Sequence, residues 1–275
     1  MPEDLELTPA LVAAGLLQLG LFFGGLVVLW RVWLSPAARQ HRREPARLPR
    51  WEIGLGEFGF AALFVIAGGL AGQLLTAYLM RPVDLPRETK LVIEGAGFQF
   101  GMLCGIIAAV LPQRTGSPRP TGGPHVVLAG AATVLAAFPV LTLGNLGWIF
   151  LLEKLGVDTS RQPLVEIFAN AEDPLLTGLM AFLAVVLAPL VEEPIFRGGL
   201  FRYLHTRLPR PAALLIPALI FSSMHLNWVA VLPLCLLAIA LSLAYERTGR
   251  IEVAIIAHAL FNLNTMLLLL AGVEV

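Results

Sequence analysis

The chain has 275 residues, of which 57% are hydrophobic and only 14% are charged. Soluble globular proteins carry about 25% charged residues, so this composition excludes an ordinary soluble domain and indicates a membrane protein. The 19 basic and 19 acidic residues balance. No basic block with interleaved aromatic residues is present, so we predict no nucleic-acid partner. The first residues are acidic, whereas a secretory signal needs a positive start, so the first apolar run is expected to be a retained anchor.

Apolar runs of about 20 residues, the length that crosses a bilayer, recur along the chain. We predict an all-α, polytopic membrane helical bundle of about eight transmembrane helices, whose first partner is the lipid bilayer. Only the tetrapeptide HLNW separates the sixth span from the seventh, so the boundary between them is left open. The predicted spans cover residues 10–34, 54–80, 91–111, 125–151, 175–196, 211–226, 228–246 and 252–272.

Arg and Lys residues favour cytoplasmic loops. With the N-terminus outside, the predicted inside loops hold twelve of the nineteen basic residues and the outside loops hold five. We therefore expect an integral protein of a bacterial inner membrane with its N-terminus outside. The basic loop 35–51 is interpreted as a topology determinant that contacts anionic lipid. The Pro- and Gly-rich segment 113–124 is interpreted as a flexible linker, which divides N-terminal helices, residues 1–124, from a core, residues 125–275.

Ionisable residues concentrate in the apolar helices of the C-terminal half. Charges are costly inside a membrane, so polar groups placed there are by default a functional hypothesis. The alternative is a structural role, in which each group only joins two helices. Both cysteines, Cys104 and Cys235, also lie in apolar runs, which is poor placement for a disulfide or a metal cluster. The candidate functional residues are Glu192, Glu193, Arg197, His225, His258 and Asn262.

Residues 192–197 have the sequence EEPIFR. Glu193 and Arg197 are four residues apart, so they share a helix face and can form an ion pair. Glu192 points about 100° away from Glu193. We expect Arg197 to neutralise Glu193 while Glu192 faces a cavity. Pro194 disfavours regular helix at this point, so a kink or a loosened turn is expected.

Two further motifs bring histidines towards this pair. FSSMH runs from Phe221 to His225, and HALFN runs from His258 to Asn262. The first and last residues of each motif are four positions apart, so their side chains share one face of a helix. The segment 207–211 predicts a tight turn, and Glu192 and His225 lie about sixteen residues on either side of it. Equal counts from a hairpin turn mean equal depth, so we expect one of the two carboxylates to meet His225. Three helices would then deliver polar groups into one cavity, where we expect Glu192 to have His225 and His258 as its partners.

A carboxylate with imidazoles suits the activation of water, directly or through a bound metal. Asn and His side chains can donate hydrogen bonds to an oxyanion. The inferred reaction is hydrolysis of a carbonyl compound, most simply a peptide bond. HExxH and GxSG sequences are absent and the four Asp residues lie outside the predicted spans, so the common zinc, serine and aspartyl arrangements are unsupported. A proton-coupled transporter is the alternative, although transporters often show unwound helices in both halves.

In this order and spacing, the motifs EExxxR, FxxxH and HxxxN resemble the CPBP family of intramembrane proteases, the CAAX-protease and bacteriocin-processing group also called Abi. The resemblance covers about residues 175–270 and implies a membrane endopeptidase whose cavity opens towards the cytoplasm. It implies that Glu192 and His225 activate water. It also implies that His258 and Asn262 stabilise the oxyanion or act as additional ligands, with Glu193 and Arg197 in support.

The family is usually named as metalloproteases, and a metal-free glutamate mechanism has been argued for its eukaryotic members. The resemblance therefore implies zinc or another divalent metal as one of two mechanisms, held by Glu192, His225 and His258. Its substrates would be membrane-associated proteins or peptides, since the eukaryotic members remove the last three residues of prenylated CAAX proteins. Some members act as non-catalytic membrane scaffolds or immunity factors, so a function without catalysis stays open.

Overall fold

A computed structural model describes residues 8–41, 48, 50–110, 124–157 and 173–273. Every regular element in these ranges is helical, which confirms the predicted all-α class. The helices are α1 (Pro9–Leu34), α2 (Pro36–His41), α3 (Leu55–Met80), α4 (Arg87–Val110), α5 (Pro124–Lys154), α6 (Pro174–His205), α7 (Arg210–Ser223), α8 (Trp228–Thr248) and α9 (Ile251–Leu270).

Seven helices in the described ranges are long and apolar enough to cross a membrane, whereas the sequence predicted about eight. The exception is α7, whose 14 residues extend about 21 Å at 1.5 Å per residue. This length is short of the roughly 30 Å hydrocarbon core of a bilayer. The helix stops at a turn, residues 224–227, where the Asn227 side chain caps α8 by accepting the Val229 N–H over 2.8 Å. The sixth predicted span was therefore too long.

Helix α6 is longer than predicted. The sequence predicted a span ending at residue 196, whereas the helix continues to His205. Two stretches of it are π-helical, Leu183–Leu187 and Pro194–Phe201. The second begins at Pro194, whose ring has no N–H to donate and crowds the preceding turn of a regular helix. A π turn relieves that crowding by widening the helix, so the expected loosened turn is present and the helix continues through it.

Helix α5 lies at the centre of the bundle, in contact with α1, α8 and α9. Leu141 of α5 packs with Leu237 and Leu241 of α8 and with Ala254 and Ala257 of α9, and all five side chains are buried. Helix α7 packs beside α8, and α6 packs beside α9. Two of the motif-bearing segments, α7 and α9, therefore pack against α8, and the third, α6, packs against α9.

Helices α3 and α4 form a closely packed pair. Gly68 and Gly72 of α3 face Gly97 and Gly101 of α4. A Cβ atom at Gly101 would overlap the carbonyl oxygen of Gly68, and one at Gly97 would lie 2.8 Å from that of Gly72. Small residues allow such close approach of helix backbones in membranes. The pair meets the rest of the bundle where α4 contacts α6.

The segment that precedes α3 docks against the C-terminal end of α6. Leu48 is buried in a cluster that includes Phe201. Arg207, just after α6, donates hydrogen bonds to the main-chain carbonyls of Trp51 and Ile53. The docking attaches the N-terminal helices to the helix that carries EExxxR. Most of the arginines in the predicted basic loop lie outside the described residues.

A buried carboxylate closes the turn between α6 and α7. Glu246 of α8 accepts three hydrogen bonds from Arg210, of 2.8, 3.2 and 2.7 Å, and lies 3.0 Å from Nε2 of His205. Bidentate Arg–carboxylate pairs fix geometry as well as supply energy. The pair therefore joins the start of α7 to the C-terminal end of α8.

Candidate active site

The three motifs meet inside the bundle. Glu192, Glu193 and Arg197 straddle the start of the second π-helical stretch of α6. His225 lies in the turn after α7, and His258 and Asn262 lie on α9. Each of the six predicted site residues is therefore in a described segment.

Glu193 and Arg197 form a buried ion pair within α6, as their spacing predicts. Arg197 donates from Nη1 to Oε1 of Glu193 over 2.8 Å, and neither side chain is more than 1% exposed. The Arg197 guanidinium also lies over the Phe221 ring, 4.8 Å from its centroid. Because a charge inside apolar surroundings needs compensation, the carboxylate and the aromatic face together account for a buried arginine.

His258 lies between the two carboxylates of α6. Its Nδ1 is 2.8 Å from Oε1 of Glu193, and its Nε2 is 4.0 Å from Oε2 of Glu192. An ionised carboxylate only accepts hydrogen bonds, so Nδ1 carries a hydrogen. The sequence led us to expect Glu192 as the partner of His258, but the direct hydrogen bond is to Glu193.

Glu192 is the accessible carboxylate of the pair. Its side chain is 20% exposed, whereas that of Glu193 is fully buried. Glu192 interacts electrostatically with both His258 and His225. The two carboxylates therefore have different surroundings, which agrees with their different directions on the helix.

His225 is held at the C-terminal end of α7. Its Nδ1 is 2.9 Å from the carbonyl oxygen of Phe221, and because a carbonyl only accepts, Nδ1 is the donor. The next residue, Leu226, has a φ of 50°, a left-handed conformation that is uncommon for residues other than glycine. The Phe221 ring centroid lies 5.1 Å from the His225 ring and 5.9 Å from the His258 ring, so Phe221 packs against both imidazoles.

Asn262 makes a contact that the sequence did not suggest. Its Nδ2 donates to the carbonyl oxygen of Ala184 over 2.7 Å. Ala184 lies in the first π-helical stretch of α6, where the backbone hydrogen-bond ladder is shifted. No motif or composition signal marks Ala184, because the partner is a main-chain atom of an alanine.

The predicted metal ligands are Glu192, His225 and His258. In the described ranges, no group of three or more His, Cys, Asp or Glu side chains is placed so that it could hold a metal ion. Glu192, His225 and His258 as arranged therefore do not form a ready zinc site. Cys104 and Cys235 are both free thiols.

Comparison with known proteins shows a similarity in the C-terminal part of the chain. Residues 174–264, about a third of the chain, match the family model described as type II CAAX prenyl endopeptidase Rce1-like. No significant match to a curated protein or to a solved structure was found. The matched segment begins with α6 and contains all six candidate residues, and the seven apolar helices show an integral membrane protein. Residues 174–264 of this chain are thus similar to the Rce1-like family of type II CAAX prenyl endopeptidases, which confirms the resemblance drawn from the three motifs.

Proposed function

We propose that the chain is an intramembrane endopeptidase of the CAAX-protease type, which hydrolyses a peptide bond in a membrane-associated protein or peptide. The observation that carries the proposal is the placement of Glu192. Its carboxylate is 20% exposed and lies 4.0 Å from Nε2 of His258, among apolar helices. The family match over residues 174–264 supports the reaction class.

Glu192 is better suited than Glu193 to act as general base. Oε1 of Glu193 already accepts hydrogen bonds from Arg197 and His258, and its side chain has no exposed surface. A general base must reach the proton that it removes, within about 3 Å or through one water. Glu192 has the exposed surface that such an approach requires, so we assign it the activation of water.

The proposed reaction runs through a tetrahedral intermediate. Glu192 takes a proton from water as the water oxygen bonds to the scissile carbonyl carbon, with His225 assisting. The carbonyl oxygen becomes an oxyanion, which hydrogen-bond donors stabilise strongly in apolar surroundings. Asn262 can supply one, since its amide has a second N–H beyond the one bonded to Ala184. Glu192 then returns the proton to the leaving amine nitrogen as the C–N bond breaks.

The resemblance and the family name direct the choice of substrate. A farnesylated peptide ending in a Cys-a-a-X sequence is the first substrate to examine, and the same peptide without the lipid tests whether prenylation matters. The resemblance implies a cavity that opens towards the cytoplasm, so the peptide is added to the side of reconstituted liposomes that corresponds to the predicted cytoplasmic face.

The deciding experiment compares Glu192→Gln with the wild-type protein in liposomes. The substitution preserves the shape of the side chain and removes the base, so release of the C-terminal tripeptide is expected to fall by about 10²–10⁴-fold. The matched control is Glu252→Gln at the start of α9, where the glutamate is 45% exposed and lies 4.0 Å from Arg250. The control is expected to cleave at the wild-type rate.

Wild-type cleavage by Glu192→Gln would contradict the proposed function. A second contradicting result is the absence of cleavage together with proton-driven uptake into the liposomes, since this result favours a transporter. Mass spectrometry of the released fragment distinguishes hydrolysis of the peptide from its loss into the vesicle lumen.

A divalent cation stays a prediction. A bound metal would supply Lewis acidity to the water, but the three candidate ligands do not form a ready site, so no step above passes through one. Elemental analysis of the active protein, repeated after dialysis against a chelator with cleavage measured on both samples, distinguishes the two mechanisms. Activity that is lost when the metal is removed and restored by added zinc would support the metal-dependent mechanism.

A further inference from the structure

Two donors converge on a single oxygen of Glu193. Oε1 accepts Nη1 of Arg197 and Nδ1 of His258, each over 2.8 Å. The carboxylate is fully buried, and Arg197 places a positive charge beside it. Glu193 therefore offers His258 a strong, fixed hydrogen-bond acceptor in surroundings where such bonds are shielded from water.

This contact decides which nitrogen of His258 faces the second carboxylate. A neutral imidazole has one N–H and one lone pair. With the hydrogen on Nδ1 committed to Glu193, the lone pair lies on Nε2, the atom 4.0 Å from Oε2 of Glu192. The Phe221 ring, 5.9 Å away at an interplanar angle of 78°, packs beside the imidazole and limits its rotation.

We propose that Glu193 is a positioning residue, which holds His258 in the Nδ1–H tautomer and directs its Nε2 towards Glu192. The inference rests on the proposed function and deepens it by assigning a role to the second glutamate of EExxxR. Buried carboxylates orient histidines in the same way in hydrolase triads and behind metal-bound imidazoles. In this tautomer, Nε2 of His258 accepts a hydrogen bond and does not donate one.

A purely structural role for Glu193 makes a different prediction. If the residue only balances the charge of Arg197, then replacing both residues by apolar ones of similar size should leave both folding and activity intact. Such replacements of a buried ion pair are often neutral or stabilising for folding. The positioning role predicts that the double variant folds and still lacks activity, because His258 has lost its acceptor.

The test uses the full chain labelled with ¹⁵N-histidine in three forms: wild type, Glu193→Gln, and the double variant Glu193→Leu with Arg197→Met. The His258 signals are assigned by their loss in His258→Gln. In the wild type, we expect a protonated Nδ1 and an unprotonated Nε2. In the double variant, we expect the hydrogen to move from Nδ1 to Nε2 in a large share of molecules.

Kinetics provide the second readout. Glu193→Gln keeps an acceptor oxygen without the charge, and is expected to lower kcat by about 10–100-fold, the usual effect of removing an orienting partner, with KM unchanged. The proposal is overturned if His258 in the wild type carries its hydrogen on Nε2. It is also overturned if the folded double variant keeps the Nδ1–H tautomer or wild-type kcat. The tautomer is measured without substrate, so failure of the peptidase assay alone would count against the proposed function and leave this inference standing.

Discussion

Asn262 of α9 donates a hydrogen bond to the main-chain carbonyl of Ala184 in α6, with 2.7 Å between nitrogen and oxygen. The carbonyl belongs to a π-helical stretch, where an inserted residue shifts the usual hydrogen-bond pattern. His258, four residues earlier on α9, contacts Glu193, which also lies on α6. The HxxxN motif therefore joins α9 to α6 at two points.

Replacing Asn262 with Ala is expected to lower both stability and turnover. Loss of one interhelical hydrogen bond in a membrane costs about 1 kcal/mol, and the oxyanion loses a donor. Asn262→Asp, which keeps the shape but has no N–H, should behave like Asn262→Ala. The control is Asn264→Ala, which removes the 2.8 Å hydrogen bond to Gln18 of α1. Thermal unfolding in detergent and kcat are measured together; an equal loss of kcat in the control would argue against a specific role for Asn262.

His225→Ala is expected to reduce cleavage by about 10²–10⁴-fold, since the variant removes the imidazole that assists Glu192. Thermal unfolding in detergent is measured alongside, because the imidazole also contacts the carbonyl and the ring of Phe221. His125→Ala, at the exposed start of α5, is the matched control and should cleave normally. Initial rates at saturating peptide measure the effect. Cleavage by His225→Ala at the rate of His125→Ala would remove His225 from the mechanism.

Arg207→Ala is expected to loosen the segment that precedes α3. The side chain donates to the carbonyls of Trp51, Ile53 and Tyr203, and its guanidinium lies 3.8 Å from the centroid of the Tyr203 ring. Hydrogen–deuterium exchange of residues 50–58 should therefore accelerate, whereas Arg39→Ala, an exposed arginine of α2, should leave exchange there unchanged. Unaltered exchange in Arg207→Ala would mean that the apolar contacts of Leu48 hold the segment by themselves.

Gly101→Ala is expected to separate α3 from α4. The added methyl group would overlap the carbonyl of Gly68, and overpacking of this kind typically costs about 1–3 kcal/mol. Gly95→Ala on the same helix meets nothing within 4 Å, so it should be neutral or slightly stabilising through the better helix propensity of alanine. Thermal unfolding of the two variants in one detergent provides the comparison. Equal melting temperatures would show that the helix pair adjusts without cost.

The sequence alone predicted a membrane protein built as a helical bundle, and it contains the three motifs that mark the candidate site. It also predicted the Glu193–Arg197 pair, because residues four apart on a helix meet whatever the rest of the chain does. The loosened turn at Pro194 was predictable for the same reason, since a proline constrains its own turn. These features depend on the period of a single helix and need no knowledge of its neighbours.

Contacts between helices could not be derived in this way. The sequence led us to expect His258 beside Glu192, yet the direct hydrogen bond is to Glu193, because a small rotation of one helix decides which of two adjacent carboxylates an imidazole meets. The short length of α7 depends on the turn that follows it, where Asn227 caps the next helix. Ala184 becomes a partner of Asn262 only because a π-helical stretch of α6 presents its carbonyl to α9. The residues of the candidate site were thus determined by local sequence, whereas the packing of α6 against α9 decided which atoms face one another.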